Sequence, residues 1–229
     1  MDVIEALRKR RSTRAYKPKP VDRGIILEIL DAANCAPSWA NTQPWEFYVA
    51  GGEALDNIRA RYVQNLGRDI PRNPDLPAPQ SWPEAHKNRT LAWGAKRLKT
   101  QWGIDPNNPE HQEALVAQQK ELALNNNRFF DAPVVVFACM DKGLSQWSLC
   151  DMGVVSQSMM LAAQHHGLNT IIAFHFAGYP EILRQELQIP DNLNILFGIA
   201  IGYGDPESIQ NKHIASRRPI EEFVKLVGF

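Results

Sequence analysis

Apolar residues recur at helical spacing behind Asp22, where Ile25, Ile26, Ile29, Leu30 and Ala33 share one side. This predicts a helix capped by Asp22 that ends before Pro37. Asp2 opens a shorter one through Lys9 on Val3, Ile4 and Leu7. From Trp45 to Ala50 the pattern changes to alternation, which predicts a half-buried strand halted by Gly51-Gly52, and a helix follows over about 53–66. The run PVVVFACM at 133–140 is apolar without a break and rich in β-branched residues, as expected of a central strand covered on both faces. Residues 149–166 are apolar on most sides, with Gly153, Ser156, Ser158, Ala162 and Ala163 keeping the helix slim, a pattern for close helix packing or a subunit interface. Two more buried strands, 169–175 and 194–203, flank a short helix at 179–188, and a last short helix runs to about Leu226.

Between these blocks lies a different stretch. Pro71, Pro74, Pro77, Pro79 and Pro83 deny residues 67–83 regular hydrogen bonding, and polar helices follow at about 84–101 and 110–125. The chain therefore reads as one domain, 1–229, with about 67–128 an inserted loop and helical lid. Because strands and helices do not alternate strictly, α+β with a mixed sheet fits better than a doubly wound one.

Composition narrows function by exclusion. Lys and Arg number 25 and Asp and Glu also 25, so no net field draws the chain to nucleic acid or an anionic membrane. No run reaches the roughly 20 apolar residues of a membrane span, and the charged first turns lack a signal peptide's apolar centre, which predicts a cytoplasmic protein. Cys35, Cys139 and Cys150 show no metal or disulfide spacing and are expected to be buried free thiols. His165-His166 point apart on a helix and cannot jointly grip a metal, so no metal site is expected.

Three polar stretches carry candidate chemistry. Arg10-Arg11-Ser12-Thr13-Arg14 packs guanidinium forks with hydroxyls, a set matched to phosphate oxygens, although a helix C-terminus favours basic residues for its dipole alone. The loop Pro37-Ser38-Trp39-Ala40-Asn41-Thr42-Gln43-Pro44 holds short polar side chains on a stiff frame; it suits the edge of a heterocycle or an ordinary helix-to-strand turn. Near the end, Ser216-Arg217-Arg218-Pro219 offers a second basic cluster, which either shares an anion with the first or answers Glu221 and Glu222. There is no GxGxxG opening a βαβ unit and no P-loop.

Together these stretches resemble the nitroreductase family of FMN enzymes. The likeness rests on RRSTRAY, APSWANTQPWEF, FDAPVVVFACM, DMGVVSQSMMLAAQHHGL, GYPEILRQELQIPDNLNILFGIAIGYGDP and RRPIEEFV, in the family's order over most of the chain. It implies a central, mostly antiparallel sheet flanked by helices in an intertwined homodimer with two FMN molecules at the interface. It also implies that Arg10, Arg11, Ser12 and Arg14 hold the ribityl phosphate and pyrimidine edge, and that Arg217 and Arg218 complete the phosphate site. Pro37, Ser38, Trp39 and Asn41 would come from the partner subunit, and the backbone near Phe174 and His175 would face flavin N5. NADH or NADPH would deliver hydride and a small electron-poor acceptor would receive it, in a ping-pong cycle. Ser38-Trp39 stands where the family has Ser-Ser, and Ala173-Phe174-His175-Phe176-Ala177 where it has Pro-x-Glu-Gly-Phe, so both departures fall on the substrate side. Trp39, Trp82 and His175 are accordingly the substrate candidates, with Trp93 and Trp102 as further aromatic walls and Trp82 on the lid. Enone reduction, dehalogenation and FMN binding without turnover are the alternatives.

Overall fold

The computed structural model describes residues 2–229, and its centre is a four-stranded sheet in the order β1-β2-β4-β3, formed by β1 (Glu46–Gly51), β2 (Val134–Asp141), β3 (Asn169–Ala173) and β4 (Leu193–Gly202). All three pairings are antiparallel; the parallel component is a single bridge between Ser12 and Thr170. Seven of the eight residues of β2 are buried, because side chains alternate across the sheet and both faces are covered. Val135, Phe137 and Cys139 point into a core shared with α3 (Gly52–Gly67) and α7 (Pro180–Leu187). Val134, Val136, Ala138 and Met140 point into another, shared with α2 (Arg23–Asn34) and α6 (Trp147–His165).

The β2–β4 register slips at Ala138/Cys139, where Ala138 faces Phe197 but Cys139 faces Ile195. The extra residue is Leu196. This bulge sends Leu196 and Phe197 to the same core and Ile195 to the opposite one, so a continuous apolar run fills both faces.

Caps set the helix starts. Asp2 accepts from Glu5 N at 2.9 Å to begin α1 (Val3–Lys9), and Asp22 accepts from Gly24 N at 2.7 Å to begin α2. The proline-rich stretch after α3 lacks regular structure but is fastened down. Tyr179 Oη donates to Ile70 O at 3.0 Å, Asn73 N donates to Gly178 O, and Asp75 Oδ2 receives both Arg184 Nη2 at 2.6 Å and Ile195 N at 2.8 Å. Beyond it come α4 (Glu84–Trp102) and α5 (Gln112–Asn127), joined through Gly103 in the left-handed conformation that ends α4.

Three sequence expectations fail. The strand expected over 169–175 stops at Ala173, and Phe174–Ala177 form a 3₁₀ turn that buries Phe176 under Gly198. The helix expected towards Leu226 is only the 3₁₀ turn Ile220–Glu222, since a short segment with no packed face gains too little to nucleate. Of the three free cysteines, Cys139 is buried in the sheet while Cys35, the residue that caps the end of α2, and Cys150, on α6, are exposed. Among the described residues no helix is long and apolar enough to cross a membrane, and no cluster of three or more His, Cys, Asp or Glu side chains is placed to hold a metal.

Candidate active site

Residues 10–16 leave α1 as an extended arm laid along the open edge of the sheet. Thr13 N donates to Thr170 O at 3.1 Å, Arg14 N donates to Asn211 Oδ1 at 2.7 Å, and Tyr16 bridges Gly204. Just past the end of β4 a Cβ on Gly204 would lie 2.7 Å from Asn169 Oδ1 of β3 and 3.1 Å from Thr13 Cγ2 of the arm, so a larger residue there would push on both.

This arm gathers cations without counterions. Burial first, then Arg217 and Arg11, lower the proton affinity of Arg10, so Arg217 of the distant tail lies beside it. Arg14 is lowered by burial as well, and Arg97, a residue of α4, is pushed down to about 10 by burial and then by Arg14. None of Arg10, Arg11, Arg14, Arg97, Arg217 and Arg218 forms an ion pair among the described residues, although the chain has a carboxylate for every cation. Instead, Trp93 lies 5.8 Å from Arg14 Cζ and 5.7 Å from Arg97 Cζ, Trp102 lies 5.5 Å from Arg97, and Arg218 stacks on Phe223 at 5.1 Å. Arg97 Nη2 and His213 Nε2 are buried without hydrogen-bond partners. Burial, followed by Arg97, Arg14 and Lys96, lowers the proton affinity of His213 and keeps it a neutral donor or acceptor. Guanidiniums held together with open donors form a site awaiting negative charge.

The other candidates lie elsewhere. Pro37 to Asn41 lead into a 3₁₀ turn with positive φ at Ala40 and Asn41, a conformation costing on the order of 1 kcal/mol per non-glycine residue. It is held by Gln43 N donating to Ser38 Oγ at 2.9 Å and Trp39 N donating to Asp151 Oδ2 at 3.3 Å. Trp39 is 62% exposed and meets the 68% exposed Trp147 edge to face at 5.8 Å. No hydrogen bond among the described residues joins this loop to the arginines. Phe174 packs on Phe197 at 5.6 Å but stays largely exposed, and His175 is lowered in proton affinity by desolvation and then Arg72 even though much of its surface is open. Trp82 is exposed on the proline-rich loop.

The arrangement thus places Arg10, Ser12 and Arg14 on one arm with Arg217 beside Arg10, whereas no hydrogen bond or ion pair among the described residues joins Pro37, Ser38, Trp39, Asn41 or Trp82 to them. Sequence reasoning missed Arg97, Gln101, Asn211 and His213. The one available signal was Trp93, Arg97 and Gln101 at four-residue spacing on a polar helix, which places them on one side of it.

A model described as the nitroreductase family matches residues 7–203. A 4-nitrobenzoate reductase of Pseudomonas putida is 31% identical over all of this chain and 96% of its own length. A nitrobenzene nitroreductase of Ectopseudomonas oleovorans is 32% identical over 98% and 96%. Among solved structures, the FMN- and NADPH-dependent nitroreductase NfnB of Sphigopyxis sp. strain HMH superposes with a TM-score of 0.88 at 30% identity, over the full length of both chains. NfnB of Mycobacterium smegmatis in complex with NADPH gives 0.86 at 26%, covering 99% of this chain and all of that one. This chain belongs to the nitroreductase family.

Proposed function

We propose that this chain is an FMN-dependent oxidoreductase that takes hydride from NADPH or NADH and passes reducing equivalents to nitroaromatic and similar electron-poor small molecules, working as a homodimer. The observation that carries the reading is the set of arginines on and around the arm that have no carboxylate partner, with the buried donor Arg97 Nη2 left open. A ligand with a phosphate at one end and an electron-rich edge at the other satisfies both groups of arginines, and FMN is such a ligand. Similarity to FMN- and NADPH-dependent enzymes supports the same choice.

Arg10, Arg11, Ser12, Arg217 and Arg218 would hold the phosphate, and Arg14 with Arg97 the electron-rich edge of the ring, where their positive charge would favour the added electrons of the reduced form. Bound FMN supplies the hydride chemistry, while the chain orients the ring and sets its electrostatics. Pro37, Ser38, Trp39 and Asn41 complete the partner's site, which accounts for their distance from the arginines of their own chain. The backbone at Phe174 and His175 borders the ring. The 67–128 region, with Trp82, closes over the acceptor side, and donor and acceptor use that side in turn. The nitroaromatic names of the relatives support the acceptor class, and the free thiols and nicotinamide donor suit a reducing cytoplasm.

The purified protein is expected to be yellow, to release FMN on acid treatment, and to bleach when NADPH or NADH is added without oxygen, with colour returning on addition of 4-nitrobenzoate or nitrobenzene. A colourless protein that does not take up added FMN overturns the reading. A yellow protein that NADPH and NADH leave unbleached reduces it to FMN binding without turnover.

A further inference from the structure

Gln101 sits one turn beyond Arg97 on α4 and is buried, and both ends of its amide are committed. Its Oε1 accepts from Arg97 Nε at 2.8 Å, and its Nε2 donates to the carbonyls of Ile209 and Gln210, each at 2.8 Å. Those carbonyls belong to the 3₁₀ turn Ile209–Asn211. The last residue of the turn, Asn211, accepts from Arg14 N at 2.7 Å and donates from Nδ2 to Ala15 O at 2.9 Å and Asp205 O at 2.8 Å. A run of hydrogen bonds thus leads from the Arg97 side chain through Gln101, the turn and Asn211 to the backbone of Arg14.

Arg14 and Arg97 repel one another and flank the same Trp93 ring. Something has to hold them together before a ligand arrives. Among the described residues, the side-chain hydrogen bonds that tie α4 to the body all come from Gln101, and α4 forms no ion pair. A glutamine serves this purpose better than a glutamate: it grips Arg97 without cancelling its charge and still donates to two carbonyls.

We propose that Gln101 is a positioning residue that holds Arg97 beside Arg14 through the Ile209–Asn211 turn, so that the two guanidiniums form one preformed site for the electron-rich edge of the flavin. The proposal rests on the flavin reading above. Holding the cations in place beforehand places the cost of their repulsion in the free chain and leaves more of the interaction for the ligand.

The test is a cycle of Gln101→Leu, Arg97→Gln and the double variant. FMN dissociation is read from quenching of free FMN fluorescence, and the midpoint potential of bound FMN is read spectroscopically. Gln101→Leu is expected to weaken FMN binding about tenfold, as for loss of a hydrogen bond to a charged group, and to make the potential more negative. The double variant is expected to match Arg97→Gln alone, because Gln101 acts through Arg97. Losses that add, or a Gln101→Leu potential equal to wild type, overturn the proposal. Hydrogen exchange of α4 in the flavin-free chain separates the clamp from the cofactor: it should quicken in Gln101→Leu, and unchanged exchange overturns the proposal whatever the chain binds. If instead the wild-type chain takes up no FMN, the flavin reading fails and this proposal with it, even where exchange confirms the clamp. If Gln101→Leu does not fold, Gln101→Asn decides, since it keeps an uncharged amide but is one methylene too short to reach both Arg97 and the turn carbonyls. A bound flavin with a more negative potential supports the clamp, and a wild-type potential overturns it.

Discussion

At the scale of residues, Arg10 shows what a cation without a counterion does to its scaffold. It is half-withdrawn from water beside Arg217 and Arg11 with no carboxylate in reach, so in the ligand-free chain it is a liability. Arg10→Gln is therefore expected to raise the melting temperature of the flavin-free protein by about 1–2 °C, the shift that relief of roughly 0.5 kcal/mol gives a chain of this length. The same substitution should weaken FMN binding at least tenfold. Thermal scans with and without FMN check both; a flavin-free variant that melts lower would make Arg10 a structural cation. The arginines were legible as residues because RRSTR is contiguous. Arg97 and Gln101 left only their four-residue spacing, and their tie to the turn that ends at Asn211 left nothing, because polar pairing across more than a hundred positions has no period in the sequence.

At the scale of elements, what could be read was whatever a segment settles within itself. Asp2 and Asp22 cap the helices they precede, and β2 is buried on both faces as PVVVFACM implies. What went wrong depended on neighbours: the tail found no surface to fold against, and β3 gives way to a turn because Phe176 must fit over Gly198, where a Cβ would lie 2.8 Å from it. The proline-rich stretch, expected as a loop, is pinned chiefly by Asp75. Asp75→Asn replaces the partner of a largely buried Arg184 and is expected to cost about 2–3 kcal/mol, measured as a lower urea midpoint at unchanged slope. A loss confined to faster proteolysis of 68–83, with global stability intact, would show that the segment opens on its own.

At the scale of the whole molecule, the separation of the loop from the arginines is the informative feature. The arginines gather at the arm, while the loop from Pro37 to Asn41 stands beside Trp147 with two exposed tryptophans. On the function proposed above, a second copy would bring this loop to the arginines to complete the site, and sedimentation is expected to show twice the chain mass at micromolar concentration. A monomer that binds FMN at full strength would remove the loop from the site. Sequence resemblance implied this division of labour; periodicity alone does not reveal it, since an isolated chain carries no mark of where its copy will lie.

The arm from Arg10 to Tyr16 has a second consequence. By bridging Thr170 it covers one end of the outer side of β3, part of an edge that would otherwise offer unpaired amides and carbonyls to the next molecule. The segment that presents the cations thus also blocks part of the edge at which strands of neighbouring molecules could pair. Any change that frees it should lower solubility and capture of the proposed ligand together, which ties the protein's colloidal behaviour to the same few residues as its chemistry.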